Sequence, residues 1–291
     1  MTVASAPAPP RSTPFARSRT WRRLRRHPGA AIGGMVVLVF VALALLAPLI
    51  APHDPIKPNW LAVRGAPTAI YLMGTDELGR DVFSRVLWGT RASLAAGVIS
   101  VGIALLIGVP LGLIAGYYGR WIDSVISRCT EALLACPFLI LAIALAAFLG
   151  PSLTNAMIAI GLSAAPIFVR LSRGQVLAVK TEDYVEGAKA VGAGDMRIIL
   201  RYILPNIFPP ILVQATITVA AAIIAEASLS FLGLGQQPPD PSWGSMLNTA
   251  KNFIVQAPWM AVWPGLAIFV IVFGFNILGD GLRDALDPRE H

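Results

Sequence analysis

The chain has 291 residues, of which 56% are apolar and 13% charged. An ordinary soluble domain carries about 25% charge, and the mean hydropathy here is +0.68. These values exclude a soluble domain, a disordered chain and a coiled coil, and leave a helical membrane protein. The net charge of +7 fits either nucleic acid or the anionic face of a bilayer. Where the charges lie decides between them.

Several chemistries are excluded at once. Cys129 and Cys136 stand seven apart, the spacing of neither a zinc site nor a redox pair, and they read as small buried residues. His27, His53 and His291 are too scattered to suggest a metal site. No G-x-x-x-x-G-K-[ST] phosphate loop occurs. Gly233-Leu234-Gly235 runs into Gln236-Gln237-Pro238-Pro239, which cannot open a helix onto a pyrophosphate.

Residues 1–28 form a basic tail with Arg11, Arg17, Arg19, Arg22, Arg23, Arg25 and Arg26 and no acid. Residues 29–51 are an uncharged apolar run, long enough at ~1.5 Å per residue to cross a ~30 Å core. The run is too long for a signal peptide and no small-x-small site follows, so it reads as a retained first helix. An external loop, 52–90, comes next. Five more apolar runs follow at about 92–117, 132–150, 153–169, 207–232 and 259–277. Pro110, Pro137, Pro166 and Pro264 mark kinks or edges. Trp259, Trp263, Tyr117, Tyr118 and Trp121 take interfacial positions.

The basic residues orient the spans. With the N-terminus inside, 17 of the 23 Lys and Arg fall on the cytoplasmic side and none falls within a span. The expected protein is therefore all-α, with six transmembrane helices and both termini cytoplasmic, ending in a tail at 284–291. Positive charge hugging the membrane excludes nucleic acid as a partner and implies contact with lipid.

The richest cytoplasmic segment is 181–205. Thr181 is a candidate N-cap, Glu182 and Asp183 favour a first turn, and Gly192 is a natural stop. A second helix starts near Gly194-Asp195, with Met196, Ile199, Leu200 and Ile203 on one face. Pro205 ends it or bends it into the next span. Such a helix–glycine–helix unit is either an amphipathic connector on headgroups or a docking element for a soluble partner.

In the outer loop, Asp76, Arg80, Asp81 and Arg85 alternate in sign. They either fold the loop by local salt bridges or present a docking surface. Glu226 is the one acid inside a span. Its readings are interfacial exposure near the outer end, or a pore-facing or inter-subunit contact. Asp123, Arg128 and Glu131, and Asp280, Arg283, Asp284 and Asp287, read as solvated helix ends.

Three motifs carry a resemblance. Glu186, Gly187, Ala188, Gly192, Leu204 and Pro205 resemble the EAA loop of ABC-importer membrane subunits, with Gly187 in place of Ala and Tyr202 in place of Ile. The run Gly74-Thr75-Asp76 through Gly79-Arg80-Asp81, Ser84-Arg85, Gly89, Arg91 and Ser93-Leu94 is similar to the signature of the second permease of peptide importers. Ser230 to Gly235 with Pro238-Pro239, Pro241-Ser242-Trp243-Gly244 is similar to that family's loop before the last span. The resemblance covers about residues 20–288.

It implies a type I ABC importer permease fold, a five-helix core over 91–283, and a coupling loop at 181–205. It also implies a homologous permease as heterodimer partner, two ATP-binding subunits and an external substrate-binding protein. ATP and Mg would sit on the ATPase subunits, with no cofactor and no catalytic residue on this chain. The location implied is the bacterial plasma membrane. Cargo would be dipeptides or oligopeptides, with glutathione or nickel complexes as alternatives. A secondary carrier would instead need ionisable residues for ion coupling at membrane depth. A membrane enzyme would need His, Asp or Ser clustered there.

Overall fold

The computed structural model describes residues 28–286. Residues 1–27 of the basic tail and the last five residues lie outside that range. Among the described residues the regular structure is helical, with a single isolated bridge between Thr75 and Asp81.

Helix α1 (Pro28–Ile50) is the first span. Helix α2 (Val82–Tyr118) begins ten residues before the apolar run, because Asp81 caps it by accepting from the Ser84 N–H. Its first turns carry Arg85 and Arg91 and therefore escape a hydropathy reading. The third run is not a straight span. Helix α3 (Arg120–Leu134) and α4 (Phe138–Leu149) meet at a 91° bend. Pro137 sits at the joint, where its missing N–H and fixed φ break the ladder. Alone, the 12 residues of α4 reach ~18 Å, too short to cross. Helix α5 (Leu153–Val179) runs on past its apolar stretch to include Arg170 and Arg173.

Two short helices follow, α6 (Asp183–Ala190) and α7 (Asp195–Ile198). A π-helical turn, Ile199–Ile203, joins α7 to α8 (Leu204–Phe231). Pro205 therefore neither ends nor breaks the helix, and 195–231 is continuous. The wide π turn absorbs the missing proline N–H, and the Asn206 amide donates to the Tyr202 carbonyl at 2.5 Å. Helix α9 (Trp243–Ala250) follows at the end of the bundle away from the 181–205 loop, and α10 (Trp259–Leu286) closes the bundle. Among the described residues, five helices are long and apolar enough to span, and the bent α3–α4 pair, if it is one span, makes six.

Small residues set the packing, as expected where lipid gives helices no hydrophobic drive to associate. Gly108, Gly112 and Gly116 of α2 lie against Ala165–Phe168, Val169–Ser172 and Arg173–Val176 of α5. The numbers rise together, so the two helices run parallel. Gly33 and Ala30 of α1 meet Gly274, Leu278 and Gly281 of α10 in the opposite sense, an antiparallel pair. The core joins α2, α5 and α8 around Phe168, Ile160, Ile207 and Ile223.

Candidate functional site: the 181–205 loop and the buried charged cluster

The 181–205 segment stands at the end of the bundle where α2 finishes. Val185 and Ala188 of α6 are buried, and Val185 packs into the core. Glu186, Gly187 and Gly192 are exposed, and a side chain added at Gly187 or Gly192 would enter open space, with no atom within 4 Å of its Cβ. Gly192 has φ +79°, a left-handed conformation that favours glycine. Its N–H donates to Lys189 O at 2.9 Å and the Ala193 N–H to Ala188 O at 3.0 Å, a Schellman stop. Thr181 does not cap α6: its hydroxyl donates back to Ala178 O at 3.0 Å, and Glu182 takes the cap position without a side-chain bond. Burial, then the Glu182 carboxylate, push the Tyr184 phenol above its ordinary pKa.

The expected single apolar face splits in two. Ile199, Ile203, Ile207 and Ile211 are buried, while Met196, Leu200 and Phe208 are exposed and, with Leu204, line an apolar groove of about 770 Å³ between α2 and α8. The π turn rotates the faces by one residue, which a pure 3.6 period does not anticipate. Pro205 is exposed.

Two residues outside the motif tie this loop to the helices. The Tyr117 hydroxyl, at the end of α2, donates to Asp195 Oδ1 at 2.7 Å. The Lys189 ammonium stands 5.8 Å from the Tyr117 ring centre. Tyr117 therefore touches both sides of the glycine turn. Lys180 Nζ donates to Gly116 O at 2.8 Å. The sequence marks Tyr117 only as an interfacial aromatic.

At the other end, the charged cluster turns inward. Asp76, Arg80, Asp81 and Arg85 are each at most 7% exposed. Asp76 Oδ2 accepts from Arg80 Nε at 2.6 Å and faces Arg85 Nε at 3.4 Å. Arg80 Nη2 donates to Glu77 Oε1 at 2.7 Å, and Arg85 Nη1 to Pro55 O at 2.7 Å. Asp81 Oδ2 also accepts from the Ser84 hydroxyl at 2.6 Å. Burial, then Asp76, push the Glu77 pKa up. So buried, the four cannot form a docking surface. They brace the outer loop against α2, because buried charges persist only when paired.

Glu226 is likewise neither exposed nor turned toward a partner: it is 0% exposed within the chain. Its carboxylate accepts from Ser93 of α2 at 3.1 Å and from Ser230 of α8 at 2.7 Å. The Ser230 hydroxyl in turn accepts from the Gln236 N–H at 3.0 Å. Beside it, Gly244 of α9 packs on the Ala227 backbone, and Trp243 Nε1 donates to Val86 O at 3.1 Å. Glu226 thus joins α2 and α8 to the turn that leads into α9. Both cysteines are at least partly exposed rather than buried. Among the described residues no group of His, Cys, Asp and Glu could hold a metal.

Residues 108–291 match the family described as the binding-protein-dependent transport system inner membrane component. Residues 16–67 match the N-terminal TM domain of oligopeptide transport permease C. The chain belongs to the binding-protein-dependent transport permeases. The dipeptide transport system permease protein DppC of Alkalihalophilus pseudofirmus is 45% identical to this permease over 97% of the chain and 94% of its own length. The glutathione transport system permease protein GsiD of Pectobacterium atrosepticum is 46% identical, over 92% and 90%. In fold, the permease is similar to a chain of the MetNI methionine ABC transporter in an inward-facing conformation. There the TM-score is 0.58 at 22% identity, covering 70% of this chain and 97% of that one. The permease is thus a multi-pass inner-membrane protein of the type I importer fold.

Proposed function

We propose that the chain is one of two permease subunits of an ATP-driven importer of di- or oligopeptides, with both termini cytoplasmic. The observation that carries this reading is the 181–205 loop. It is buried at Val185 and Ala188 and bare at Glu186, Gly187 and Gly192, as a knob held for a partner's socket would be. In this reading the loop meets an ATP-binding subunit, and each of two permeases engages one. ATP and Mg belong to those subunits, and this chain catalyses nothing. A homologous permease completes the path as a heterodimer. An external binding protein delivers cargo at the outer end, where Trp60, Leu61, Ile70 and Val255 stand exposed.

Mechanistically, ATP-driven movement of the partner would shift α6 and α7 together. Tyr117 passes that shift to α2 through Asp195 and Lys189, and the π turn passes it directly to α8. A ligand biases two states only through contacts that differ between them, and this loop is where such contacts form. The relatives named for glutathione, a tripeptide, favour a second reading of the cargo. Uptake assays with each peptide separate the two.

Gly192→Pro tests the coupling assignment. Proline's fixed φ near −65° cannot take the +79° turn. The expected result is normal insertion with loss of transport-stimulated ATP hydrolysis. Unchanged stimulation refutes the docking role of this loop.

A further inference from the structure

A pocket of about 300 Å³ lies at the elbow between α3 and α5, with Leu134, Ala135 and Val169 as its apolar wall and Ser127, Thr130, Glu131, Arg170 and Arg173 as its polar groups. Its charges are not all spoken for. Arg173 is neutralised by a bidentate pair with Asp123, its Nη2 donating to Oδ2 at 2.7 Å. Among the described residues, no hydrogen bond or ion pair holds the side chain of Arg170 or of Glu131, and both are exposed to the pocket's solvent. The Arg170 guanidinium and the Glu131 carboxylate therefore remain without a hydrogen bond or ion pair, although the Glu131 charge also acts on Arg173. The Ser127 and Thr130 hydroxyl protons are committed, to Asp123 at 3.0 Å and to Ile126 O at 2.7 Å. Their oxygens are left only as acceptors.

The balance selects the ligand. A net anion would meet Glu131 and a net cation would meet Arg170, whereas a neutral molecule with separated opposite charges satisfies both. The acceptor-only hydroxyls add partners for an ammonium and none for a carboxylate. The volume is at the lower end of the ~300–1,000 Å³ range of small-molecule pockets, which restricts the ligand to a small one. Arg170 stands about 26 Å along α5 from Leu153, close to the inner boundary of a ~30 Å core. There α3 and α4 bend apart by 91° and open the pocket.

We propose that this pocket holds a zwitterionic peptide with free termini, its carboxylate on Arg170 and its ammonium on Glu131, as a station near the cytoplasmic end of the transport path. The proposal rests on the peptide-import reading above and supplies a binding site for it on this chain. It also gives Glu131 a role beyond that of a solvated helix end.

The test uses the assembled complex of both permeases and ATPase subunits, purified without the binding protein. Calorimetric titration compares dialanine, dialanine amide and N-acetyl-dialanine. A charge-assisted contact removed by blocking one terminus costs about tenfold in affinity. The wild-type complex is expected to bind dialanine about tenfold tighter than either blocked form. Arg170→Gln should abolish the preference for the free carboxylate and keep that for the free amine. Glu131→Gln should do the reverse, and Arg170→Lys should keep both preferences in part. Assembly and basal ATP hydrolysis, measured on the same samples, establish that the variants fold. Variants that bind all three peptides as the wild type does overturn the pocket. Wild-type vesicles with loaded binding protein are assayed in parallel: failure to import any peptide overturns the peptide reading instead.

Discussion

Gly112 offers the sharpest test of how the helices are held. A Cβ added there would stand 2.6 Å from Ser172 Cβ and from Val169 O, and 3.0 Å from Arg173 N. Ordinary carbon contacts lie near ~3.5–4.0 Å, so the shortfall is about 1 Å. Two of the three obstructing atoms are backbone, so no rotamer change relieves the clash and α2 and α5 must separate. A gap of ~0.5–1 Å forfeits a quarter to a half of each contact energy along the seam, and overpacking of this kind costs ~1–3 kcal/mol. Alanine returns up to ~1 kcal/mol of helix propensity. Gly112→Ala should therefore destabilise by up to about 2 kcal/mol net, and Gly112→Val by more. Gly102, on the same helix, where an added Cβ would meet nothing within 4 Å, is the control. Unfolding in mixed micelles titrated with dodecyl sulfate and followed by circular dichroism reads the difference. Equal stability of Gly112→Ala and Gly102→Ala would refute the close-packed seam.

Other consequences follow from the buried polar groups. Glu226→Gln gives one of the two serine hydroxyls an amide N–H in place of an acceptor, and should cost ~1–3 kcal/mol, read as a lower melting temperature of the purified chain. Arg85→Met leaves Pro55 O without its donor and one oxygen of Asp76 less compensated. It should expose the outer loop to protease, with a loss of ~3–5 kcal/mol. Glu77 has a folded pKa raised above 4.5, so the folded state holds its proton more tightly than the unfolded chain. Stability of the outer loop should be highest below the ordinary carboxylate range, fall as pH rises from there to the raised value, and level off above it. In Glu77→Gln, protease resistance should lose this pH dependence. Tyr117→Phe keeps the ring under Lys189 but removes the hydrogen bond to Asp195. It should leave insertion unchanged and lower the uptake obtained per ATP hydrolysed.

Much of the fold is legible in the sequence because apolar length is a direct requirement of the bilayer. The runs at 29–51 and 259–277 locate α1 and α10. Hydropathy fails where a helix leaves the core: α2 and α5 extend through charged turns at Arg85 and Arg173. It also fails at the α3–α4 bend, where Pro137 is a visible signal but the angle depends on packing. The glycines at 108, 112 and 116 are spaced by four, a pattern that marks helix contact, yet an apolar count passes over them. In the loop, Gly192 is readable because its left-handed turn is a local demand. Exposure of Met196 and Leu200 is not, since it depends on how the two ends of the π turn pack against α2. The outer charges show the limit most clearly. Alternating sign in Asp76, Arg80, Asp81 and Arg85 permits either a buried brace or a surface, and only the packing against Pro55 and α2 decides for the brace.

The measurement closest to the central claim is peptide uptake into vesicles carrying purified components. This chain, its sister permease, the ATPase subunits and loaded binding protein together should accumulate peptide only with ATP, and omission of any one should abolish it. Uptake by this chain alone, without ATP, would contradict the account.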